Sequence, residues 1–266
     1  MDVDTGFVTQ IGMDHREAVA AAADHGYDFV ELMLDGAGAR DRLAPRREAV
    51  REALSARGVG LTVHLPFGSI DPGSPFDAVR SGAVAELEAH VELAADLGAT
   101  KATLHPTSAA WSPAYDGDAL GDHIVESVRH LDGYAADRGV EIVAENVPRG
   151  VFDTNGIPEL LERTDVSMCL DTGHARVDGR DDDGIAAFLD EHADRVSHLH
   201  LNDVRGASDE HLPLGAGFVD FERVLGALPA DWTGTLSAEV FADDFAYLGH
   251  SADHLGEVLA ALDGGA

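Results

Sequence analysis

Six short apolar runs of the chain each end on, or one step from, a residue that can bind a metal ion. These residues are His64 in LTVHLP, His105 in KATLHP, Glu145 in EIVAEN, Asp171 in SMCLDTGH, His200 in SHLHLND and Glu239 in LSAEVF. Histidines and carboxylates cost free energy to bury unless hydrogen bonds, opposite charges or a metal compensate them. A ring of such residues at the ends of apolar runs therefore predicts a shared cation site.

Three further residues, in the segments that follow two of these runs, extend the ring. His174 follows Asp171 by three residues, and Asp209 and His211 lie in a glycine-containing segment after His200. A single histidine at the end of a strand is often explained by a hydrogen bond to its surroundings. The full set of nine is much more specific than any one member, and it supports a metal centre.

Three other polar or reactive residues in apolar runs of the chain are not assigned to the ring. His198 shares a strand face with His200 but lies one step deeper, so we interpret it as a packing or supporting residue. Glu31, in FVELML, could face the same interior, but no direct role is predicted for it. Cys169, the only cysteine, is expected to be buried, and it excludes an intramolecular disulfide.

Strand-like and helix-like segments alternate eight times along the chain, and this alternation explains how the nine residues meet. The predicted strands are Phe7–Ile11, Phe29–Leu34, Gly60–His64, Lys101–His105, Glu141–Asn146, Val166–Asp171, Val196–Asn202 and Thr235–Phe241. The predicted helices are Asp14–His25, Pro45–Ala56, Pro75–Leu97, Asp118–Arg138, Ile157–Arg163, Gly184–Ala193, Phe221–Leu228 and Asp244–Leu262. The pattern predicts an α/β fold, a single-domain (β/α)8 TIM barrel over Met1–Ala266, with its active site at the carboxyl ends of the strands.

An open, doubly wound sheet is the alternative fold. Such a sheet would be expected to carry a glycine-rich phosphate turn after its first strand, and neither GxGxxG nor GxxxxGKS/T occurs in the chain. The barrel is therefore favoured, and no nucleotide cofactor is expected.

The charge of the chain is strongly negative. Its formal net charge is -31, from 49 acidic and 18 basic residues, and Lys101 is the only lysine. The acids are scattered, which favours adaptation to high salt, where a Debye length of about 3 Å at 1 M screens most repulsion. Under this halophilic interpretation the charge says little about the substrate.

The N-terminus has no basic segment followed by an apolar one, and no run approaches the 18 or so apolar residues of a membrane span. We therefore expect a soluble cytoplasmic protein without a membrane partner.

Seven segments together resemble a known family. In chain order, from residue 64 to residue 241, they are HLPFGSIDPGSP, LHPTS, AENVPRG, CLDTGHARVDGRD, HLHLND, DEHLPLGAG and AEVF. The chain resembles the xylose isomerase-like barrel superfamily, and most closely its type 2 apurinic/apyrimidinic endonuclease branch, endonuclease IV. The resemblance implies a hydrolase that acts on phosphoesters.

The resemblance also implies up to three Zn²⁺ ions, with Mn²⁺ as an alternative. One ion would be held by His64, His105 and Glu145, a second by Glu145, Asp171, His200 and Glu239, and a third by His174, Asp209 and His211. This mixture of imidazoles and carboxylates suits zinc or manganese better than magnesium. Ions about 3.5–4 Å apart can orient a phosphodiester and activate water at neutral pH.

The chain departs from the endonuclease pattern at residues that would contact DNA. Phe67 replaces a DNA-inserting tyrosine, although it could still act as an apolar wedge, and Glu210 replaces an arginine between the last two ligands. Lysines that could contact phosphates are almost absent. The expected substrate is therefore abasic DNA or a small phosphorylated molecule.

A second branch of the superfamily, the sugar isomerases and epimerases, implies one divalent ion held by Glu145, Asp171, His200 and Glu239. In that branch Glu145 and Glu239 would be the catalytic acid and base acting on a sugar. His174 and Arg205 would bind hydroxyls or a phosphate. Under this alternative, four of the nine residues have no assigned role.

A third alternative is a barrel that binds a metabolite without turnover. It would leave many buried charges without a cation, at a cost of several kcal/mol.

Overall fold

The computed structural model describes residues 3–242 and 244–264. Eight strands, each parallel to its neighbours, form a closed barrel in chain order, and the last strand pairs with the first. The strands are β1 (Asp4–Val8), β2 (Phe29–Met33), β3 (Gly60–His64), β4 (Lys101–Leu104), β5 (Glu141–Glu145), β6 (Ser167–Asp171), β7 (Val196–Leu201) and β8 (Thr235–Ala238). The predicted (β/α)8 TIM barrel is confirmed.

Helices follow every strand. They are α1 (His15–His25), α2 (Arg40–Leu43), α3 (Arg47–Arg57), α4 (Asp77–Leu97), α5 (Gly117–Ala136), α6 (Ile157–Arg163), α7 (Thr172–Val177), α8 (Asp182–His192), α9 (Phe221–Leu225) and α10 (Ala246–Gly264). The eight predicted helices are all present, with ends that differ by at most three residues. The short helices α2 and α7 were not predicted.

The largest difference from the predicted strands is in β1, which begins at Asp4 and ends at Val8, whereas the prediction was Phe7–Ile11. Asp4 pairs with Thr235 in β8, so the ladder begins earlier than the apolar pattern indicates. Gln10 has left the strand, and its side chain bonds the backbone of residues 240 and 242 instead.

Alternate residues along the strands form two buried layers. In β7, Leu199 and Leu201 belong to the apolar core of the molecule, whereas His198 and His200 bond Glu31 of β2. Because neighbouring strand residues point to opposite faces, the barrel interior receives this polar layer. Among the described residues, no helix combines the length and apolar character that crossing a membrane requires.

Candidate metal centre

All nine predicted ligands lie at the carboxyl-terminal end of the barrel. They are His64 at the end of β3, His105 immediately after β4, Glu145 at the end of β5, Asp171 at the end of β6, His174 in α7, His200 in β7, Asp209 and His211 between β7 and α9, and Glu239 immediately after β8. The barrel topology thus brings together residues that are up to 175 positions apart, between His64 and Glu239.

The first group, here called the central cluster, contains Glu145, Asp171, His200 and Glu239. One potential ligand atom from each of the four residues lies within 4.8 Å of the others, and all four side chains are buried. The Nδ1 atom of His200 lies 3.2 Å from a carboxylate oxygen of Glu239 and 3.6 Å from one of Glu145. This geometry offers three carboxylates and one imidazole to a single cation.

The second group, the loop cluster, contains His174, Asp209 and His211. Its potential ligand atoms also lie within 4.8 Å of one another. The Nε2 atoms of His174 and His211 approach the two carboxylate oxygens of Asp209 at 3.4 and 3.0 Å. The loop cluster adjoins the central cluster, because Nδ1 of His174 lies 3.0 Å from Glu145.

The third group, the rim pair, contains His64 and His105. Their Nε2 atoms lie 3.4 and 3.1 Å from the same carboxylate oxygen of Glu145. The two imidazole rings meet edge to face, with their centroids 4.9 Å apart. Glu145 therefore faces the rim pair and the central cluster at once.

Three of the histidines are oriented by main-chain carbonyl groups. The Nδ1 atoms of His64, His174 and His211 lie 2.9, 3.0 and 3.2 Å from the carbonyl oxygens of residues 65, 146 and 239. An Nδ1–H that donates to a carbonyl leaves Nε2 as the lone-pair nitrogen. In each of the three rings Nε2 faces a carboxylate, that of Glu145 for His64 and that of Asp209 for His174 and His211, so the backbone presents these imidazoles as ligands. Nδ1 of His174 also lies 3.0 Å from Glu145.

His200 is oriented the opposite way, by a carboxylate that the sequence analysis left without a role. Its Nε2 lies 3.1 Å from Glu31, a fully buried residue of β2, and its Nδ1 points into the central cluster. Glu31 also accepts hydrogen bonds from Thr103 at 2.7 Å and His198 at 3.0 Å. Glu31 thus contacts a candidate ligand directly, and its carboxylate in an otherwise apolar strand was the signal for this contact.

The loop between β7 and α9 is held in place by Asp203. Its carboxylate accepts hydrogen bonds from the amides of residues 204, 217 and 219 at 2.7–3.0 Å, and its backbone pairs with Leu212. His211 takes a left-handed conformation with φ of 45°, which is uncommon for a residue other than glycine. Such strain persists only where the surroundings fix it, and here it directs the His211 ring toward Asp209.

Asp171 is fixed by its own helix and by β7. It caps α7 by accepting a hydrogen bond from the amide of His174 at 2.6 Å, and its other oxygen accepts one from Asn202 at 2.6 Å. A Cβ atom on Gly173 would lie only 1.9 Å from the Asn202 side chain. Glycine is therefore required at this position so that Asn202 can reach Asp171.

The titration of these groups is strongly perturbed. Burial, reinforced by the carboxylates of Glu239 and Glu145, raises the pKa of Asp171 to about 7. Burial alone would raise the pKa of Glu239, but His200 and His211 lower it to about 2. Burial alone would lower the pKa of His211, but Glu239 and its neighbours raise it to about 9. Opposed shifts of this size in one cleft are typical of functional sites.

The residues present fit a bound cation. The Oε1 atom of Glu145, Nδ1 of His200 and Oε2 of Glu239 are buried, and within the described part of the chain none of them forms a well-aligned hydrogen bond, although other polar atoms lie 3.0–3.2 Å away. Buried polar atoms without partners are costly, and these three belong to the central cluster. A mixed set of imidazole and carboxylate donors suits Zn²⁺ or Mn²⁺.

A cavity of about 450 Å³ lies over the loop cluster and the rim pair, and Phe67, Arg149 and Ser208 contribute to its lining. Phe67 stacks on His105, with the ring centroids 4.4 Å apart. Arg205 lies outside this cavity, and its guanidinium donates to Glu210 at 3.1 Å. Of the two predicted substrate-binding residues, the structure therefore brings Phe67 to the cavity wall, but it leaves Arg205 on the surface beside it.

A closed parallel barrel with metal-binding residue types at the carboxyl ends of its strands defines a class of TIM-barrel proteins. Comparison with known families places the chain in the same class. The chain belongs to the xylose isomerase-like TIM barrel family, whose model matches residues 19–263. It is 28% identical over 230 residues to a probable endonuclease 4 of Mycobacterium marinum, covering 81% of this chain and 86% of the relative. The resemblance seen in the sequence is thereby confirmed at the level of the family.

Other relatives have names from sugar and inositol chemistry. An inosose dehydratase of Geobacillus thermodenitrificans is 26% identical over 212 residues, covering 68% of both chains. The crystal structure of a D-tagatose 3-epimerase-like protein superposes with a TM-score of 0.82 at 26% identity, covering 98% of both chains. The family therefore contains both types of chemistry that the sequence indicates.

Proposed function

We propose that this protein is a divalent-metal-dependent phosphoester hydrolase with a multinuclear centre that holds up to three zinc or manganese ions. The observation that carries the proposal is the loop cluster, in which His174 and His211 converge on Asp209 beside the buried central cluster. A sugar epimerase that uses one ion would need only the central cluster. The loop cluster and the rim pair then supply ligands for two further ions.

The residues of the site would have different roles in hydrolysis. Ions held by the three groups would polarise a phosphoryl oxygen, activate water for attack and stabilise the leaving oxygen. Glu145 would supply ligand atoms to more than one ion, because its carboxylate faces both the rim pair and the central cluster. Phe67 would pack against an apolar part of the substrate, and Arg149 would contact an anionic part.

The size of the cavity bears on the substrate. A volume of about 450 Å³ is within the usual range of about 300–1,000 Å³ for small-molecule sites. A small phosphorylated molecule fits this volume, and so does a single nucleotide turned out of a DNA strand. Abasic DNA and a small phosphoester are therefore the two substrates to test first.

Two observations favour a second candidate function, sugar isomerisation or epimerisation. The central cluster is a complete four-residue site in itself, and the D-tagatose 3-epimerase-like protein resembles the chain over nearly its whole length. In this alternative Glu145 and Glu239 would exchange protons with a carbon of the sugar. His174 would then bind a hydroxyl group, whereas Arg205 lies outside the cavity and would not reach the sugar without moving.

Metal analysis of the purified protein separates the two functions. About three ions per chain are expected for the hydrolase, and about one for the epimerase. The same preparation is then assayed with an abasic duplex, a simple phosphodiester and a panel of ketoses. One ion per chain together with turnover of a ketose would contradict the hydrolase.

The substitution His211→Ala tests the loop cluster itself. Under the proposal it removes one ion and abolishes hydrolysis, whereas an epimerase would lose only part of its activity. His130→Ala is a matched control, because that histidine lies in α5, is 54% exposed and pairs with Glu88 of α4, outside the strands of the barrel. Undiminished hydrolysis in His211→Ala would contradict the assignment of a third ion.

A further inference from the structure

A second groove opens beside the cavity over the metal centre. It has a volume of about 380 Å³ and is lined by Arg176, Arg180 and Asp181 on one side and by Arg205 and Ala207 on the other. Ala207 also lines the cavity over the metal centre, so the two spaces meet at this residue. Arg176 lies two residues after His174 of the loop cluster, on the same helix α7. The groove therefore adjoins the cavity over the metal centre.

The groove concentrates arginines in a chain that has few basic residues. Three of the chain's 18 lysine and arginine residues line it, although the net charge of the whole chain is -31. Asp181, the one acidic residue that lines the groove, uses a carboxylate oxygen to cap α8 through the amide of Gly184 at 2.9 Å. Arg176 and Arg205 each pair with one carboxylate outside the lining, that of Asp182 and that of Glu210, and each contact uses only one terminal nitrogen of the guanidinium group.

Two of the three guanidinium groups are held in place by contacts with the protein. Arg176 donates to the carbonyl oxygen of Phe218 at 2.9 Å, and Arg180 lies 5.0 Å from the centre of the Phe188 ring. The Nε atoms of Arg176 and Arg180 are buried without a hydrogen-bond partner in the described ranges. Arginines fixed in this way lose little conformational entropy when they bind an anion, because most of their rotamer freedom is already lost.

We infer that this arginine groove is a subsite for a phosphate group of the substrate that is not the one attacked at the metal centre. The inference rests on the proposed function, since it assumes a substrate with more than one anionic group. Planar guanidinium groups match the oxygens of a phosphate in charge and geometry. Gly179 and Gly206, which also line the groove, leave the backbone open to close approach. The substrate class is thus a phosphoester that carries a second phosphate.

Binding of inorganic phosphate tests the groove separately from catalysis. Phosphate is titrated into the full-length protein as purified, and again after chelation of its metals, at one fixed chloride concentration. Arg176→Gln and Arg205→Gln should each weaken binding by about tenfold in both preparations, as expected for loss of a charge-assisted hydrogen bond. Arg205 is 60% exposed, so Arg205→Gln tests the groove even if Arg176→Gln destabilises the fold.

Arg223→Gln is the matched control, because this half-exposed arginine pairs with Asp183 and does not line the groove. It should bind phosphate like the unmodified chain. Phosphate binding that is unaffected in both groove variants would overturn the subsite, even if the protein hydrolyses phosphoesters. Binding that responds to the groove variants in a protein without hydrolase activity would instead contradict the proposed function and leave the anion site standing.

Discussion

The buried carboxylate of Glu31 should control how strongly the centre holds its metal. It accepts hydrogen bonds from Thr103, His198 and His200 at 2.7–3.1 Å. In the substitution Glu31→Gln the negative charge is lost, and one of the two acceptor oxygens becomes an NH₂ group that cannot accept. The Nε2–H of His200 then loses its charge-assisted bond, and its Nδ1 becomes a weaker and less well oriented ligand.

The expected magnitude follows from the bond that is lost. A hydrogen bond to a charged group contributes about 1.5–3 kcal/mol, which corresponds to roughly 10–100-fold in a binding constant. Glu31→Gln should therefore weaken zinc binding by 10–100-fold, the range typical for such supporting carboxylates. Thr103→Val removes one donor but keeps the contact between Glu31 and His200, so it should have a smaller effect.

Chelator competition measures the zinc affinity, and the absorption spectrum of the cobalt-substituted protein reports the geometry of the ligands. Glu141→Gln is the matched control, since Glu141 begins β5 at the opposite end of the barrel and bonds Ser197. If Glu31 had a purely structural role, Glu31→Gln would lower the melting temperature but leave the zinc affinity and the cobalt spectrum unchanged. Wild-type zinc affinity in folded Glu31→Gln, or an equal loss in Glu141→Gln, would refute the reasoning.

Three further predictions concern a glycine in α7, the protons released by metal binding and the effect of salt on the melting temperature. Gly173→Ala should destabilise the protein by about 1–3 kcal/mol and weaken metal binding, because the new Cβ displaces Asn202 from Asp171. Thermal melts measure the first effect. Gly68→Ala is the control, because no atom lies near the added Cβ, and it should change neither stability nor metal binding. Metal binding at pH 7 should release protons and tighten toward pH 9, because the raised pKa of His211, about 9, keeps its ring protonated below that value. In the metal-free chain the same raised pKa stabilises the folded state. This stabilisation is complete below pH 6.5 and is lost as the pH rises through 9. Calorimetry in buffers of different ionisation enthalpy would show this release, and its absence would contradict the assignment. The melting temperature should rise with KCl concentration far more than with sucrose of equal osmolality, because the net charge of -31 is screened only by salt.

Most of the barrel and of the centre could be predicted from the sequence because both depend on local patterns. Apolar runs that alternate with amphipathic segments gave eight strands and helices, and polar residues at the carboxyl ends of those runs had to meet on one face. Asp171 and His174 show this well, since a strand end followed by a helix cap places both residues at the centre. The ends of β1 and β8 were less predictable, because pairing between them, and not hydrophobicity, sets where the strands begin and end.

The contacts that cross the barrel could not be read from the sequence. Glu31 and His200 are separated by 169 positions, and nothing near Glu31 indicates which strand its carboxylate faces. The same holds for Asn202, whose partner Asp171 depends on the space that Gly173 leaves. Arg205 shows the converse case, since the resemblance to the sugar isomerases and epimerases implies substrate binding, but its position outside the metal cavity depends on the fold of a long loop.

The charge of the centre links the number of ions to the type of substrate. Glu145, Asp171, Asp209 and Glu239 carry four negative charges when ionised, so three divalent ions would leave the centre positive by two charges. A centre with that charge attracts a phosphoester into a protein whose remaining surface repels it, because a local field in a cleft can differ in sign from the net charge. One ion in the central cluster would face three carboxylates and leave that cluster negative, which suits a neutral sugar and disfavours a phosphate. Metal ions bound at the loop cluster and the rim pair would therefore change the net charge of the centre as well as the number of ions. With those ions bound, the centre would be complementary to an anionic substrate.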